Sequence, residues 1–229
     1  MLCCCLCSGV QVGDRLTTAV GFEEGPGGHG YDAKQALVLH NYCAVGTDGK
    51  GPAGVPQRAL CDVTDGKTFR ARAKDAARLR TALFMTEFGA TSGVATGLKE
   101  IEIVADDADA QSPPASWTYW CLDQWHPDPA DTRWGAISRP YAEQVDGTGV
   151  AFLVRERSFR LTFATNALGP AGAHQGTTRI FVPGGLASAE QVAVEPKGAL
   201  VLLSKEPRSW IELATATGGV DVTVTINLS

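Results

Sequence analysis

The hydrophobic pattern of this 229-residue chain changes near residue 148. Before that point, short apolar runs that do not alternate with polar residues are separated by segments of helical period, as in parallel strands buried on both faces. After it, apolar and polar residues alternate strictly, which is typical of antiparallel strands with one buried face. The sequence therefore predicts an α/β part followed by an all-β part.

In the first part, the pattern predicts three buried strands with a helix between each pair. The strands are ALVLH (36–40), TALFMTEFG (81–89) and SWTYW (116–120), and the helices are FRARAKDAARLR (69–80) and LKEIEIVADDADA (98–110). Apolar residues recur at helical spacing on one face of each helix: Phe69, Ala73, Ala76 and Leu79, then Leu98, Ile101, Ala105 and Ala108. The charged residues mostly fall elsewhere, so the run DDAD is predicted to be a solvated helix face.

The second part is predicted to be a small antiparallel β-sandwich. Phe159, Leu161 and Phe163 alternate with Arg160 and Thr162, and the segment VDVTVTINL repeats the pattern near the end of the sequence. SRPYAEQVDG, just before the change of pattern, is predicted to be helical. The predicted organisation is an atypical, disordered N-terminus over 1–20, an α/β domain over 21–147 and the sandwich over 148–229.

Composition excludes some classes of function. The formal net charge of −5 provides no basic surface for nucleic acid. The sequence has no apolar run of about 18 residues that would predict a membrane-spanning helix. MLCCCLCSGV, the opening segment, is shorter than a secretory signal and lacks a basic start, so no export signal is predicted.

Seven cysteines are present, four of them within the first seven residues. Cys4 and Cys7 form a C-x-x-C, but no second pair follows at zinc-site spacing, and no metal site is predicted. Cys43 and Cys61 bracket a segment that is predicted to be a loop rich in glycine and proline (44–60), and a disulfide across it would contribute about 3 kcal/mol. The alternative is two free thiols. Cys121 is predicted to be a small buried residue.

Each predicted strand ends in polar or aromatic residues. The first ends in His40-Asn41-Tyr42, the second in Glu87, and the third in a segment that includes Trp120. Active sites of α/β barrels lie at the carboxyl ends of their strands. An aromatic face packs against sugar C–H groups and carboxylates handle a glycosidic bond, so this combination predicts a sugar site.

These motifs resemble a known family. LFMTEFGAT followed by SWTYW is similar to the end of the catalytic barrel of glycoside hydrolase family 5, and GPGGHGYDAKQALVLHNYC resembles its endoglycoceramidase branch. The resemblance covers about residues 21–229 and includes the junction into a C-terminal β-sandwich. It implies that Glu87 is the nucleophile, that His40 and Tyr42 orient it, and that Trp120 lines the sugar subsite.

One part of the family's machinery has no counterpart in the sequence. Retaining glycosidases use two carboxyl groups about 5 to 5.5 Å apart. The family's second carboxylate lies in an Asn-Glu-Pro-like motif, which this chain does not contain. The resemblance thus implies a partial (β/α)8 TIM barrel of about the last three β/α units, followed by the sandwich. We expect Glu87 to lack its acid/base partner here, unless another chain or a missing exon supplies it.

Other carboxylates are not predicted to lie beside Glu87. Glu23 and Glu24 precede the first strand, and the remaining candidates lie on a helix expected to pack outside a barrel: Glu102, Asp106, Asp107 and Asp109. The structural alternatives are a Glu87 carboxylate paired with arginine or lysine, a core histidine at His40 and a core tryptophan at Trp120.

The remaining aromatic residues and histidines have structural interpretations as well. Trp117 or Tyr119 is predicted to be a core residue. Trp125 and Trp134 either cover the lipid part of a substrate or pack between the domains. The other histidines share no metal-ligand spacing and are predicted at the surface: His29, His126 and His174.

The resemblance implies an enzyme that hydrolyses the O-glycosidic bond between an oligosaccharide and ceramide, without an organic cofactor. Its substrate would be a glycosphingolipid or another β-glycoside, with peripheral contact to membrane lipid and a secreted full-length form. This chain alone is expected to be inactive. The alternatives are a non-catalytic carbohydrate- or glycolipid-binding protein with a degenerate partial barrel, and a β-glucan or mannan hydrolase of the same family.

Overall fold

The computed structural model describes residues 23–43, 55–89, 91, 93–121, 130–155, 157–169, 176–185, 189–203 and 209–228. The predictions for residues 1–20, Trp125, His126 and His174 lie outside these ranges. The chain divides into two compact units, the first ending at Ile137 and the second beginning at Ser138. No helix in the described ranges is long and apolar enough to span a membrane.

The first unit contains a parallel three-stranded sheet in the order β1-β2-β3. Its strands are β1 (Ala36–Asn41), β2 (Ala82–Phe88) and β3 (Ser116–Trp117). Helix α1 (Val55–Leu79) follows β1 and α2 (Ala95–Asp109) follows β2, while a 3₁₀ helix (His29–Lys34) precedes β1 and α3 (Arg133–Ile137) follows β3. The predicted alternation of strands and helices is therefore confirmed in this unit.

A single apolar cluster holds these elements together. Leu83, Met85 and Phe88 of β2 are buried against α1 residues such as Phe69 and α2 residues such as Ile101. Each fully buried side chain of this size contributes roughly 1.5 to 3 kcal/mol. The apolar faces predicted for both helices are the faces that pack on this core.

Three predictions about the first unit need correction. The segment predicted as a Gly/Pro-rich loop includes the start of α1, where Pro56 is tolerated because the first helical turn has unpaired N–H groups. The third strand ends at Trp117, so most of SWTYW lies beyond it. In the run DDAD, Asp109 is 6% exposed and is not on a solvated face.

The second unit contains two antiparallel four-stranded sheets, ordered β4-β7-β10-β9 and β5-β6-β11-β8. A 3₁₀ turn (Ala189–Gln191) precedes β8. The strands are β4 (Tyr141–Gln144), β5 (Gly147–Arg155), β6 (Ser158–Thr165), β7 (Thr177–Phe181), β8 (Val192–Glu195), β9 (Leu200–Leu202), β10 (Trp210–Thr215) and β11 (Asp221–Asn227).

One core joins the two sheets of this unit. Phe159, Leu161 and Phe163 of β6 lie in the same buried cluster as Ile180 of β7 and Leu213 of β10. Every second side chain of a strand points to the same face of its sheet. The apolar residues of the period-two pattern therefore all lie between the two sheets. The unit is therefore a β-sandwich, as the pattern predicts.

The helix predicted for SRPYAEQVDG is wrong, because Tyr141–Gln144 forms strand β4. This strand is at the edge of its sheet, directly after Pro140, which is where proline is compatible with a sheet. The Tyr141 ring lies 5.3 Å from Phe181 and 6.0 Å from Trp210, and this packing overrides the local helical pattern. β4 belongs to the second unit, so the predicted boundary at residue 147 falls inside that unit.

Candidate active site

The three strands of the first unit bring their predicted site residues to one edge of the sheet. His40 of β1 pairs in register with Glu87 of β2, and Gly89, just after β2, forms a parallel bridge with Trp120. Because the strands are parallel, all their carboxyl ends meet at this edge. A histidine, a glutamate and a tryptophan that are distant in sequence thus become neighbours.

An irregularity in the pairing of β1 with β2 sets the register of His40. Leu39 pairs with Met85, but the next residue pairs with Glu87, so Thr86 is skipped. The Thr86 hydroxyl donates to the Leu39 carbonyl across this irregularity at 3.4 Å. Bulges often re-aim side chains at functional sites, and this one places the imidazole opposite the carboxylate. No pattern in the sequence indicates it.

Two side chains hold the same oxygen of Glu87. The Tyr42 hydroxyl donates a hydrogen bond to Oε2 at 3.0 Å, and Nδ1 of His40 lies 3.3 Å from that atom. Among the described residues, nothing donates a hydrogen bond to Oε1. The Glu87 side chain is 31% exposed, so one oxygen is held in place while the carboxylate remains open to solvent.

Tyr42 is a stable hydrogen-bond donor at this site. Burial raises the pKa of its phenol, and the hydrogen bond to Glu87 and the charge of that carboxylate raise it further. The phenol therefore keeps its proton at neutral pH. A hydrogen bond of this kind to a charged group contributes about 1.5 to 3 kcal/mol and fixes the rotamer of the carboxylate.

Gly89 allows the third strand to approach this edge. It has a φ of 114°, a conformation that side chains rarely adopt. A Cβ there would lie 2.3 Å from the Tyr119 ring and 2.7 Å from the Trp120 carbonyl oxygen. The Trp120 amide donates to the Phe88 carbonyl at 2.7 Å. The pair Phe88-Gly89 thus both ends β2 and makes room for Trp120.

The aromatic residues after β3 differ in burial. Trp120 is 53% exposed and is therefore not a core residue. Trp117 and Tyr119 pack edge-on against buried Phe88, with ring centroids 5.4 Å and 5.5 Å away. Trp117 and Tyr119 are thus partly buried against the core of the first unit, whereas the Trp120 ring remains exposed.

Arg133, which sequence reasoning missed, joins the two loops that follow β2 and β3. Its Nη1 donates to the carbonyls of Thr91 and Cys121, each at 3.4 Å, and its guanidinium binds Asp131 through two nitrogens. Hydrogen bonds from Arg133 lower the pKa of the Asp131 carboxyl group. The sequence offers no signal for this contact, since Arg133 lies outside every element that the pattern predicts.

Of the carboxylates considered as partners for Glu87, none forms a contact with it in the part of the chain that the structure describes. Glu24 lies 3.8 Å from His29, and Glu102 pairs with Lys99 on the surface of α2. The groups that do contact Glu87 are a phenol and an imidazole. The interpretation of Glu87 as a carboxylate paired with lysine or arginine does not match these contacts.

Cys43 and Cys61 form a disulfide that links the segment after β1 to helix α1. Closing a loop of this size stabilises a fold by about 3 kcal/mol in the chain-entropy model. Cys121 is exposed rather than buried, which corrects its predicted location.

Known proteins resemble this chain in structure. No model of a known protein family and no curated protein matches its sequence. Solved structures of glycosidases do match its fold, over 84 to 85% of this chain. The fold is therefore glycoside hydrolase-like.

More particularly, the fold is endoglycoceramidase-like. Endo-glycoceramidase II from Rhodococcus sp. matches with a TM-score of 0.62 and 21% identity, over 85% of this chain and 43% of that one. Its complex with ganglioside GM3 matches with a TM-score of 0.63 and 22% identity, over 85% and 42%. An endogalactoceramidase matches with a TM-score of 0.50 and 13% identity, over 84% and 42%. The chain spans less than half the length of these proteins.

Proposed function

We propose that this chain carries the nucleophile of a retaining glycosidase of endoglycoceramidase type, within glycoside hydrolase family 5. The observation that carries the proposal is the geometry of Glu87. Its Oε2 is held by Tyr42 and His40 at the carboxyl edge of a parallel sheet, and the exposed Trp120 lies at the same edge. Fixing one oxygen leaves the other free to attack.

In the proposed reaction, Oε1 of Glu87 attacks the anomeric carbon and the bond from that carbon to the ceramide oxygen breaks. The product is a glycosyl-enzyme, which water hydrolyses in a second step. Tyr42 and His40 orient the carboxylate, and Trp120 provides an apolar platform for the sugar ring. The ganglioside GM3 bound to endo-glycoceramidase II supports a glycosphingolipid as the substrate.

The acid that protonates the leaving oxygen is not among the described contacts of Glu87. We propose that a carboxyl group that is not part of this sequence, on another chain or encoded by a missing exon, supplies it, and that this chain alone does not turn over a natural glycolipid. The three parallel strands would then be part of a (β/α)8 barrel. The proposed substrate includes a lipid, so peripheral contact with a membrane surface forms part of the proposal.

A mechanism-based label tests the nucleophile separately from the acid. A 2-deoxy-2-fluoro-β-lactosyl fluoride has a leaving group that departs without protonation, so the first step needs only the nucleophile. We expect the mass of the chain to increase by that of one 2-deoxy-2-fluorolactosyl group, and peptide mass spectrometry should locate this group on Glu87. Glu87→Gln should not be labelled, while Glu102→Gln, a surface change on α2, should be labelled at the unmodified rate. A folded chain that gains no label at Glu87 contradicts the proposal.

The absence of a carboxylic acid among the described contacts of Glu87 also favours a second candidate, a non-catalytic protein that binds carbohydrate or glycolipid. Under this alternative, binding of GM3 or of its soluble oligosaccharide persists in Glu87→Gln, and no label forms. Comparing GM3 with a soluble β-glucan and a β-mannan as ligands also separates the glycolipid proposal from a β-glucan or mannan hydrolase.

A further inference from the structure

A second cluster of reactive groups joins the segment after β1 to helices α1 and α2. The sulfur atoms of Cys43 and Cys61 and a carboxylate oxygen of Glu100 all lie within 4.8 Å of one another. Glu100 is only 3% exposed and Cys61 is fully buried. Asp65, also fully buried, follows Cys61 by one helical turn, so both face α2 from the same side of α1.

The carboxylate of Glu100 is poorly compensated where it lies. Apart from the neighbouring Asp65, which can donate only while protonated, its oxygens have no hydrogen-bond donor among the described residues. A buried carboxylate in such surroundings is costly unless a proton or a cation neutralises it.

Two sulfurs and a buried carboxylate form a ligand set typical of zinc. Zn²⁺ binds cysteine thiolates at about 2.3 Å and carboxylate oxygens at about 2.0 to 2.2 Å. The two sulfurs are bonded to each other in the oxidised chain, so reduction must let them separate to about 3.7 Å, the spacing of two thiolates on one tetrahedral zinc ion. A Glu100 oxygen already lies within 4.8 Å of both. We propose that, once its disulfide is reduced, this cluster binds a divalent zinc ion through Cys43, Cys61 and Glu100. Water takes the fourth position, and Asp65 orients the carboxylate of Glu100.

The disulfide form converts to the zinc form in two steps. A dithiol reductant transfers two electrons and two protons to the Cys43–Cys61 disulfide, whose S–S bond breaks to give two thiols, while the reductant becomes a cyclic disulfide. Zinc binding then releases both thiol protons to solvent. In the oxidised chain the covalent bond holds α1 to the segment after β1, and in the reduced chain the metal does so. This proposal is independent of the glycosidase proposal.

The test measures zinc binding by the full chain in both redox states. Serine replaces the five cysteines outside the cluster in every sample, so that they cannot bind metal: Cys3, Cys4, Cys5, Cys7 and Cys121. The chain is reduced with a dithiol, freed of it without oxygen, and titrated with Zn²⁺ against a chromophoric chelator. We expect one zinc per reduced chain and none per oxidised chain. Cobalt(II) in place of zinc should give a thiolate-to-cobalt charge-transfer band.

Two matched glutamate variants on α2 decide the role of Glu100. Glu100→Gln removes a buried charge and should weaken zinc binding by about tenfold or more, while Glu102→Gln, at an exposed position, should leave it unchanged. Cys61→Ser should remove the thiolate-to-cobalt band. If Glu100→Gln binds zinc as tightly as Glu102→Gln, or if the reduced chain with both residues intact binds none, the proposal is wrong. The absence of zinc binding by the reduced chain is measured without any change at Glu100, so this test remains valid even if Glu100→Gln fails to fold.

Discussion

Asp107, on α2, has a carboxyl group whose ionisation changes the stability of the first unit. Burial raises its pKa from 3.8 to about 6, and the charges of Asp106 and Asp62 raise it too, against the opposing charge of Arg70. Between these two pKa values the folded chain binds more protons at this group than the unfolded chain does. Stability due to this group therefore falls as the pH rises from about 4 to 6.

Asp107→Asn should remove this pH dependence, because the amide stays neutral. At pH 7.5 we expect the variant to be more stable than the unmodified chain by roughly 1 to 2 kcal/mol, since each unit of pKa corresponds to about 1.4 kcal/mol and partial exposure reduces the effect. At pH 4 or below, both chains carry an uncharged group and should unfold at similar urea concentrations. Urea unfolding at the two pH values checks this, and an equal gain at both would contradict it.

Buried charged residues are the part of the first unit that the sequence predicts least well. Arg72 and Asp75 of α1 fall off the predicted apolar face, yet they are 6% and 1% exposed and pair at 3.1 Å. Glu100 on α2 is buried as well. Helical periodicity identifies the apolar face of a helix, but burial of its polar face depends on which other elements cover it. Which elements cover a helix is a property of the tertiary structure. From the charge pattern alone, the polar face of a helix is therefore predicted to be exposed to solvent.

At the scale of elements, the turn that ends β2 depends on one glycine. Gly89→Ala would place a methyl group against the Tyr119 ring and the Trp120 carbonyl oxygen in a backbone conformation that alanine disfavours. We expect it to lower the free energy of unfolding by at least about 2 kcal/mol. Trp120 should also become displaced, and its fluorescence, measured in a background where it is the one tryptophan left of the five, would detect this.

Gly135→Ala is the matched control for that turn. Gly135 lies in α3, where an added Cβ would meet no atom within 4 Å and the backbone does not have a positive φ. Alanine there should stabilise the chain by about 0.5 to 1 kcal/mol, because it favours the helix and restricts the unfolded chain. Equal effects of the two substitutions in urea unfolding would show that close approach at Gly89 is unimportant.

The sequence predicts which residues lie at the carboxyl ends of the strands, but it predicts only some of the contacts that these residues make. Non-alternating apolar runs located β1 and β2, and parallel pairing alone then requires His40 and Glu87 to end at the same edge. The resemblance to the family indicated Tyr42 as a partner of Glu87. The skipped Thr86 could not be predicted, because hydrophobic periodicity does not determine the register of two strands. The contacts of Arg133 could not be predicted either, because they depend on the conformation of the segments after β2 and β3.

At the scale of the whole chain, the boundary between the two units is a testable difference between pattern and structure. Alternation becomes visible near residue 148, whereas the second unit begins at Ser138 and includes β4. Ala142 and Val145, from the intervening segment, pack against the core of the sandwich. Without β4, strand β7 would be an open edge with unpaired backbone groups.

Residues 138–229, expressed alone, should therefore unfold in one cooperative transition, because a buried core joins their two sheets. The shorter piece 148–229 should be less stable by at least about 2 kcal/mol, since it loses the Tyr141 ring contacts and the packing of Ala142 and Val145. Val201→Ala in the longer piece, at an exposed position on β9, should change its stability by less than about 0.5 kcal/mol. Urea unfolding of the three proteins decides the matter. Equal midpoints for 138–229 and 148–229 would place the boundary where the alternating pattern begins and would make β4 dispensable.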